Sequence, residues 1–504
     1  MSWLVVCPIL IPLVGAASTA LLRGSLPAQR IVTIATMALL TAACAALLWR
    51  VNQGGVVALQ LSNWEAPFGI TLAADHLSAL LALAAAVVGL CIAVFAPADL
   101  EREREAGGFH PVFNALLVGV GGAFVTGDLF NMYVWFEVML ISSFVLLSLG
   151  GTREQTDGAL KYAGINLVAT VLLLLAVALL YALTGTLNMA DLSIRLKDVE
   201  NQGMVSTVAV LFIIAFGIKA ALFPLFFWLP AAYHTPATAV QAVLAGLLTK
   251  VGVYALLRSF TLLFTGDEGY THGVLLGLAG FTMAAGALGA LAMGDIRRVL
   301  GFQVVATIGL MVMGVALNTP LALAGCVFYL VHDMLLKTGL FLGAGVARRL
   351  SGGTALAGMG GLYAATPLLS LLMFALLASL AGFPPFSGFW GKLALVRAAL
   401  EAEAWVMAGV ALAMGLLTMW LVGRVWGEMF WKARPAGDAP GLASLPAAGR
   451  AALVGPVALL ALATLAIGLW PAPLMEISAR AAAELSDPAA YIQTVLGARE
   501  GGAQ

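Results

Sequence analysis

Five ionisable residues, Glu137, Lys219, Lys250, Lys337 and Lys392, sit inside stretches otherwise apolar enough to span a membrane. At the bilayer centre such a group costs ~2.5–3.5 kcal/mol on insertion scales, so by default it faces a polar interior and marks a functional site. A buried file of groups that gain and lose protons points to proton movement across the membrane. Glu137 and Lys219 make a sensible pair, because separating them makes the lysine proton easier to release. The plain alternative is a static ion pair holding two helices together. In VHDMLLK (331–337), Asp333 and Lys337 are four residues apart, share a helix face and can pair. His332 and Lys337 are five apart, about 140° round a helix, so water or long side chains must join them. Lys250 closes AVLAGLLTK and reads as a central relay or as a snorkelling lysine. Lys392 is the candidate exit group.

Two accessory candidates lie near span ends. His234, in AAYHTP, is a titrating group near neutral pH or an ordinary loop histidine. Asp128, in TGDLFN, is a mouth residue or a helix N-cap. Asp75 and His76 open a span as a cap and an interfacial histidine, outside the relay. The four cysteines, Cys7, Cys44, Cys91 and Cys326, have no metal-ligand spacing and fit small buried apolar residues. No Walker A loop, Rossmann glycine pattern, haem CxxCH or HExxH is present. No metal or cofactor is expected, and energy must come from an ion gradient or a partner subunit.

These groups need helices to position them. The chain has 504 residues, 62% hydrophobic and 10% charged, with mean hydropathy +1.01; soluble domains carry about 25% charged residues. With 25 basic and 25 acidic residues and no basic patch, nothing suggests nucleic acid. At about 20 residues per span there is room for about fourteen helices in an all-α polytopic membrane protein. The spans fall at 3–21, 31–49, 76–96, 111–127, 129–149, 161–183, 205–229, 237–258, 273–293, 299–317, 321–346, 364–381 continuing to 400, 404–428 and 452–470. The first lacks a positive n-region and reads as a retained helix. Thirteen basic residues (Arg23, Arg30, Arg102, Arg104, Arg153, Lys161, Arg297, Arg298, Arg348, Arg349, Lys432, Arg434, Arg450) fall on one side of this arrangement. Five (Arg50, Arg195, Lys197, Arg480, Arg499) fall on the other, which places both termini outside the cytoplasm. Outer loops are expected at 50–75, with Glu65 and Asp75, and at 184–204, where MADLSIRLKDVENQG is able to form a short interfacial helix. The charge run EREREAGG (101–108) reads as a solvated loop or frayed helix end without function.

Two spans are interrupted. Pro224, Pro230 and Pro236 break GIKAALFPLFFWLPAAYHTPATAVQA; Gly382, Pro384, Pro385, Gly388 and Gly391 break ASLAGFPPFSGFWGKLALVRAAL. Each break has a lysine nearby, Lys219 before the first and Lys392 after the second. Paired broken helices in two halves are the sequence sign of an inverted-repeat transporter with its path near the midplane. The plain alternative is two unrelated kinks.

The strings GAFVTGDLFNMYVWFEVMLISSFVLL (122–147), TGTLNMADLS (184–193), KAALFPLFFWLPAAYHTPATAVQAVLAGLLTKVGVYALLR (219–258), VHDMLLKTGLFLGAG (331–345) and GFPPFSGFWGKL (382–393) resemble the antiporter-like subunits shared by respiratory complex I and multisubunit cation/proton antiporters. TGDLFN, TGTLNMADL and GFPPFSGFWGKL are most similar to the D-type subunits of Mrp (Mnh) Na⁺/H⁺ antiporters. The resemblance covers about residues 70–430. It implies fourteen helices with two inverted five-helix repeats: helices 1–3 at 1–110, the repeats at 111–260 and 273–430, and the last helix and tail at 431–504. It implies a relay of Glu137, Lys219, Lys250, His332, Lys337 and Lys392. It also implies a bacterial inner-membrane complex with partner subunits A, B, C, E, F and G, moving H⁺ and Na⁺ through the lipid bilayer. Where relatives carry a serine-rich string after the Arg-Arg pair, this chain has GFQVVATIG, so no hydroxyl pair is expected there. The alternatives are a proton-pumping subunit of a redox complex (complex I or a membrane-bound hydrogenase) and a scaffold whose buried charges only specify packing.

Overall fold

The computed structural model describes residues 2–64, 66–434, 441–442 and 446–497. Its long helices are α1 (Trp3–Leu21), α2 (Leu26–Gly54), α3 (His76–Asp99), α4 (Arg102–Val125), α5 (Leu129–Ser148), α6 (Arg153–Thr184), α7 (Gln202–Ala220), α8 (Thr238–Leu262), α9 (Glu268–Ala292), α10 (Ile296–Leu317), α11 (Pro320–Ser351), α12 (Pro367–Ala381), α13 (Ser387–Glu401), α14 (Trp405–Trp431) and α15 (Gly449–Leu469). Among the described residues, thirteen are long and apolar enough to cross a membrane alone. The other two, α12 and α13, have 15 residues each. At ~1.5 Å per residue neither covers a ~30 Å hydrocarbon core, so the pair makes one crossing between them. That gives fourteen crossings of a multi-pass membrane protein. Two shorter helices follow, α16 (Ala472–Ser486) and α17 (Ala489–Gly497).

A helix that is hydrophobic all round is buried by other helices or by lipid. Here the two cases separate. The apolar stretch of α8 is wholly inside the protein, and those of α10 and α11 nearly so, whereas α1 and α2 lie mostly at the periphery.

Contacts between loops define two ends. At one, β1 (Val57–Gln60) pairs antiparallel with β2 (Thr71–Ala74), with Val57 opposite Ala74. This hairpin, where only a loop is expected, packs on Val5 near the N-terminus, and Gln60 donates to the Val495 carbonyl of α17 at 3.2 Å. The expected short helix in 184–204 is Met189–Arg195, capped by Asn188 and buried over its first residues. At the other end Arg30 holds Glu105 with two hydrogen bonds (2.8 and 2.5 Å), Arg348 approaches Asp99 (3.7 Å), and Asp295 caps α10 and meets Thr354 (2.5 Å). Glu65 and Arg499 lie outside the described residues.

Of the two forms expected for the run 101–108, the helix end is the one seen, and most of its side chains are exposed. The exception is Glu105, which a π-turn at Glu105–Phe109 places fully inward against Arg30 and His110.

Both interruptions begin with a residue of positive φ, Ala221 (65°) and Gly382 (86°). The first leaves less helix than expected: α7 stops at Ala220, and only Trp228–Ala232 is helical before α8. Proline removes backbone donors, and carbonyls freed in a membrane need partners. Trp228 Nε1 donates to the Ile218 carbonyl at 3.1 Å. At the second break Lys392 Nζ itself serves the carbonyls of Leu380 (2.8 Å) and Ala381 (3.0 Å).

Candidate functional site

Glu137 on α5 and Lys219 on the last turn of α7 are brought together, but not as a direct ion pair. Thr170 of α6 lies between them. Its hydroxyl donates to Glu137 Oε1 (2.6 Å) and accepts from Lys219 Nζ (3.1 Å). Lys219 also reaches the Asn166 carbonyl (3.4 Å), one turn away on α6, and sits 5.6 Å from the Phe136 ring centre. Lys219 is buried and Glu137 half-buried. Beside Lys219 is a cavity of about 20 Å³ lined by Tyr162, Asn166, Trp228 and Leu248, room for about one water.

The second cluster is deeper. Lys250 on α8 pairs with Asp333 Oδ2 of α11 at 2.8 Å, and Lys337 lies 3.8 Å from Asp333 Oδ1; all three side chains are fully buried. Lys250 also donates to the Ala245 carbonyl (2.6 Å) and Lys337 to the Gln303 carbonyl of α10 (3.0 Å). Two glycines allow this. A Cβ on Gly252 would stand 2.6 Å from the Ala220 nitrogen, and one on Gly246 would run into Thr338 Oγ1. So α8 seats directly against α7 and α11. A π-turn at Leu244–Leu248 precedes Lys250. The side-chain amide of Gln303 is buried with no hydrogen-bond partner among the described residues.

His332 makes its hydrogen bond on the side of the second break. Its Nδ1 lies 2.8 Å from Ser387 Oγ, which is 2.9 Å from Ser379 Oγ. These hydroxyls join α11 to both sides of the second break. Lys392, partly exposed, opens on a lateral apolar cavity of about 400 Å³ lined also by Leu310, Phe389 and Met419.

The accessory candidates sit at the two ends. His234 is half-buried, with Nδ1 2.8 Å from the Pro230 carbonyl and Nε2 3.2 Å from Arg298. Burial and the Arg298 guanidinium lower its pKa below the ordinary imidazole value. It lines a polar vestibule of about 450 Å³ with Glu154, Asp157, Lys161 and Arg298. Asp128 is the N-cap of α5, accepting from the Asn131 N–H at 2.7 Å; burial pushes its pKa up to about 6.

Chemically, Thr170 can take a proton from one neighbour as it gives one to the other. Asp333 is one carboxylate between two lysines, so with both charged the buried cluster holds an uncompensated charge, a costly state that favours moving one proton on. Thr170, Gln303, Ser379 and Ser387 are the site residues that sequence reasoning missed. The spacing of Asn166 and Thr170 in an apolar helix, and the serine in FPPFSGFW, were the available signals. Among the described residues no three His, Cys, Asp or Glu side chains gather in a group able to hold a metal ion.

Residues 126–418 match the family model described as NADH:quinone oxidoreductase/Mrp antiporter, TM. A protein of Alkalihalophilus pseudofirmus, named as the D-type subunit of a Na⁺/H⁺ antiporter, is 42% identical over 501 residues, covering 98% of this chain and 100% of that one. Among solved structures, a chain of the Mrp complex from Dietzia sp. superposes with TM-score 0.90 at 33% identity, covering 99% of this chain and 100% of its own. A chain of an archaeal membrane-bound sulfane sulfur reductase, a respiratory membrane complex, also gives TM-score 0.90, at 26% identity, covering 98% and 100%.

Proposed function

The chain belongs to the NADH:quinone oxidoreductase/Mrp antiporter transmembrane family, and from that premise we propose that it is a proton-translocating subunit of a multisubunit Na⁺/H⁺ antiporter. It is a secondary transporter component, and its partners are subunits A, B, C, E, F and G of such a complex. The observation that carries the reading is the Lys250–Asp333–Lys337 cluster, fully buried between two membrane-spanning helices. Protons move between Glu137 and Lys219 through Thr170, on to Lys250, across Asp333 to Lys337, and by way of His332 and the Ser387 hydroxyl to Lys392. Asp128 and His234 stay outside this route as cap and vestibule residue.

Two positive-φ breaks, each with a lysine near it, support the division into inverted repeats at 111–260 and 273–430. The arginine-rich end supports both termini lying outside the cytoplasm, and the bacterial source of its relatives supports a bacterial cytoplasmic membrane. Fold alone does not choose between antiport and a redox-linked pump. The 42% full-length identity to a protein named for Na⁺/H⁺ antiport, against 26% to the reductase chain, supports antiport.

The test is Na⁺-dependent collapse of ΔpH in everted vesicles carrying the whole operon, with Lys219→Ala in this subunit. Equal assembly with exchange lost is expected. Equal exchange in both would make the lysine structural or put the path in another subunit.

A further inference from the structure

We infer that the buried Arg258 guanidinium is an electrostatic plug that keeps protons on Lys250 from escaping to the end of the bundle that carries both termini. The inference rests on the reading of the buried lysines as proton carriers. Lys250, Tyr254 and Arg258 follow one another at four-residue spacing on α8, so they share one face, and all three are buried. Beyond Lys250 this face meets a polar column. Tyr254 Oη donates to the Phe124 carbonyl (2.9 Å) and lies 3.3 Å from Ser78 Oγ. Ser78 Oγ in turn accepts from Arg258 Nη2 (3.3 Å), which is 2.5 Å from Asp75 Oδ2. The next residue continues the polar network toward the terminal end: His76 meets Glu484 of α16 through its backbone N–H (3.0 Å) and Nδ1 (2.7 Å).

Hydroxyls in such a series offer a route for a proton from the central lysine to the terminal end, short-circuiting the passage to Lys392. A guanidinium in that column blocks it. It does not give up its proton in proteins, and a fixed positive charge raises a barrier to protons in a narrow polar passage. Asp75 balances its charge, and two aromatic rings enclose it, Tyr254 at 5.6 Å and Tyr491 at 5.1 Å. Tyr491 belongs to α17, so the segment after the last crossing forms the lid. An ion pair that served only packing would make the same contacts but would not govern leakage.

The experiment reads respiration-driven ΔpH in Na⁺-free everted vesicles holding the assembled complex. Arg258→Gln is combined with Asp75→Asn, so that no lone charge stays buried, the column stays polar and the α3 cap is kept. Loss of ΔpH without Na⁺ is expected, and adding Lys250→Met to the pair should restore it. Arg258→Gln alone, which removes the positive charge and keeps an N–H donor beside Asp75, should leak in the same direction and covers the case where the double variant does not assemble. An assembled variant as tight as the parent, or a leak that persists after Lys250→Met, would overturn the plug. Because this readout needs no Na⁺, a tight Arg258 variant alongside Lys219-dependent exchange removes the plug alone. Exchange that ignores Lys219 removes the relay reading.

Discussion

Thr170→Val is the sharpest probe of the relay. Valine keeps the shape of the side chain and removes only the hydroxyl, which here makes two hydrogen bonds, to Glu137 Oε1 at 2.6 Å and from Lys219 Nζ at 3.1 Å. Hydrogen bonds to charged groups contribute ~1.5–3 kcal/mol each. If the loss of one such bond appears in the barrier for proton passage, the rate falls roughly 10- to 100-fold, at about 1.4 kcal/mol per tenfold. The assay is Na⁺-dependent ΔpH collapse in everted vesicles, with assembly followed by co-purification of the other subunits. Thr170→Ser keeps the donor and acceptor and should retain exchange. Thr170→Ala enlarges the cavity of about 20 Å³ beside Lys219, so a water is able to take the place of the hydroxyl, and its activity should fall between Ser and Val. Full exchange in the valine variant would refute the bridge. Equal losses in the serine and valine variants would show that packing, not the hydroxyl, matters at this position.

Three further outcomes are expected. Asp333→Asn strands two buried lysines, and breaking a buried pair costs ~3–5 kcal/mol, so both complex yield and exchange should drop. Adding Lys337→Met should recover part of the yield but not exchange, since Lys250 stays unpaired, and normal transport by Asp333→Asn itself would contradict the shared counter-ion. Asp128 has its pKa raised by burial from an ordinary 3.8 to about 6. Its ionisation in the fold therefore costs stability that is absent below about pH 4 and fully felt above about pH 6. Asparagine caps a helix about as well without a charge, so Asp128→Asn should raise the Tm of the purified complex more at pH 8 than at pH 5; an equal shift at both would count against it. Cysteines placed at Arg153 and Lys161 should react with an impermeant reagent only from the cytoplasmic side, and labelling from outside would invert the proposed orientation.

The crossings were legible because each is apolar over nearly its whole length, a pattern that only helices satisfy in lipid. Their ends were less so. The helix expected at 161–183 begins at Arg153, where Thr152 and Gln155 form a reciprocal cap that carries the helix out past its apolar part. Glu105 was hidden because an alternating charge run looks solvated; a π-turn, which no pattern in EREREAGGF announces, rotates it inward. The ionisable residues of the site stood out because charge is rare in such a chain. Their connectors did not. Serine and threonine are unremarkable in membrane helices, and whether Thr170 faces Lys219 depends on how α6 is rotated against α7. That rotation is set by how the side chains of the two helices interdigitate along their whole contact, which no single residue announces.

Burial along the file also bears on why this chain works in a complex. Lys250, Asp333 and Lys337 sit on α8 and α11, helices enclosed on all sides, so their charges meet only protein and one another. The two ends of the file differ. Glu137 and Lys392 are each partly exposed on the flank of the bundle, Lys392 at the edge of an apolar cavity of about 400 Å³. Lipid against either group would incur the same ~2.5–3.5 kcal/mol that makes intramembrane charge rare. A neighbouring subunit laid over each flank removes that cost and gives the proton somewhere to go. A multisubunit assembly fits the exposed ends of the proposed relay: the chain alone encloses the middle of that relay and leaves Glu137 and Lys392 for partners to cover.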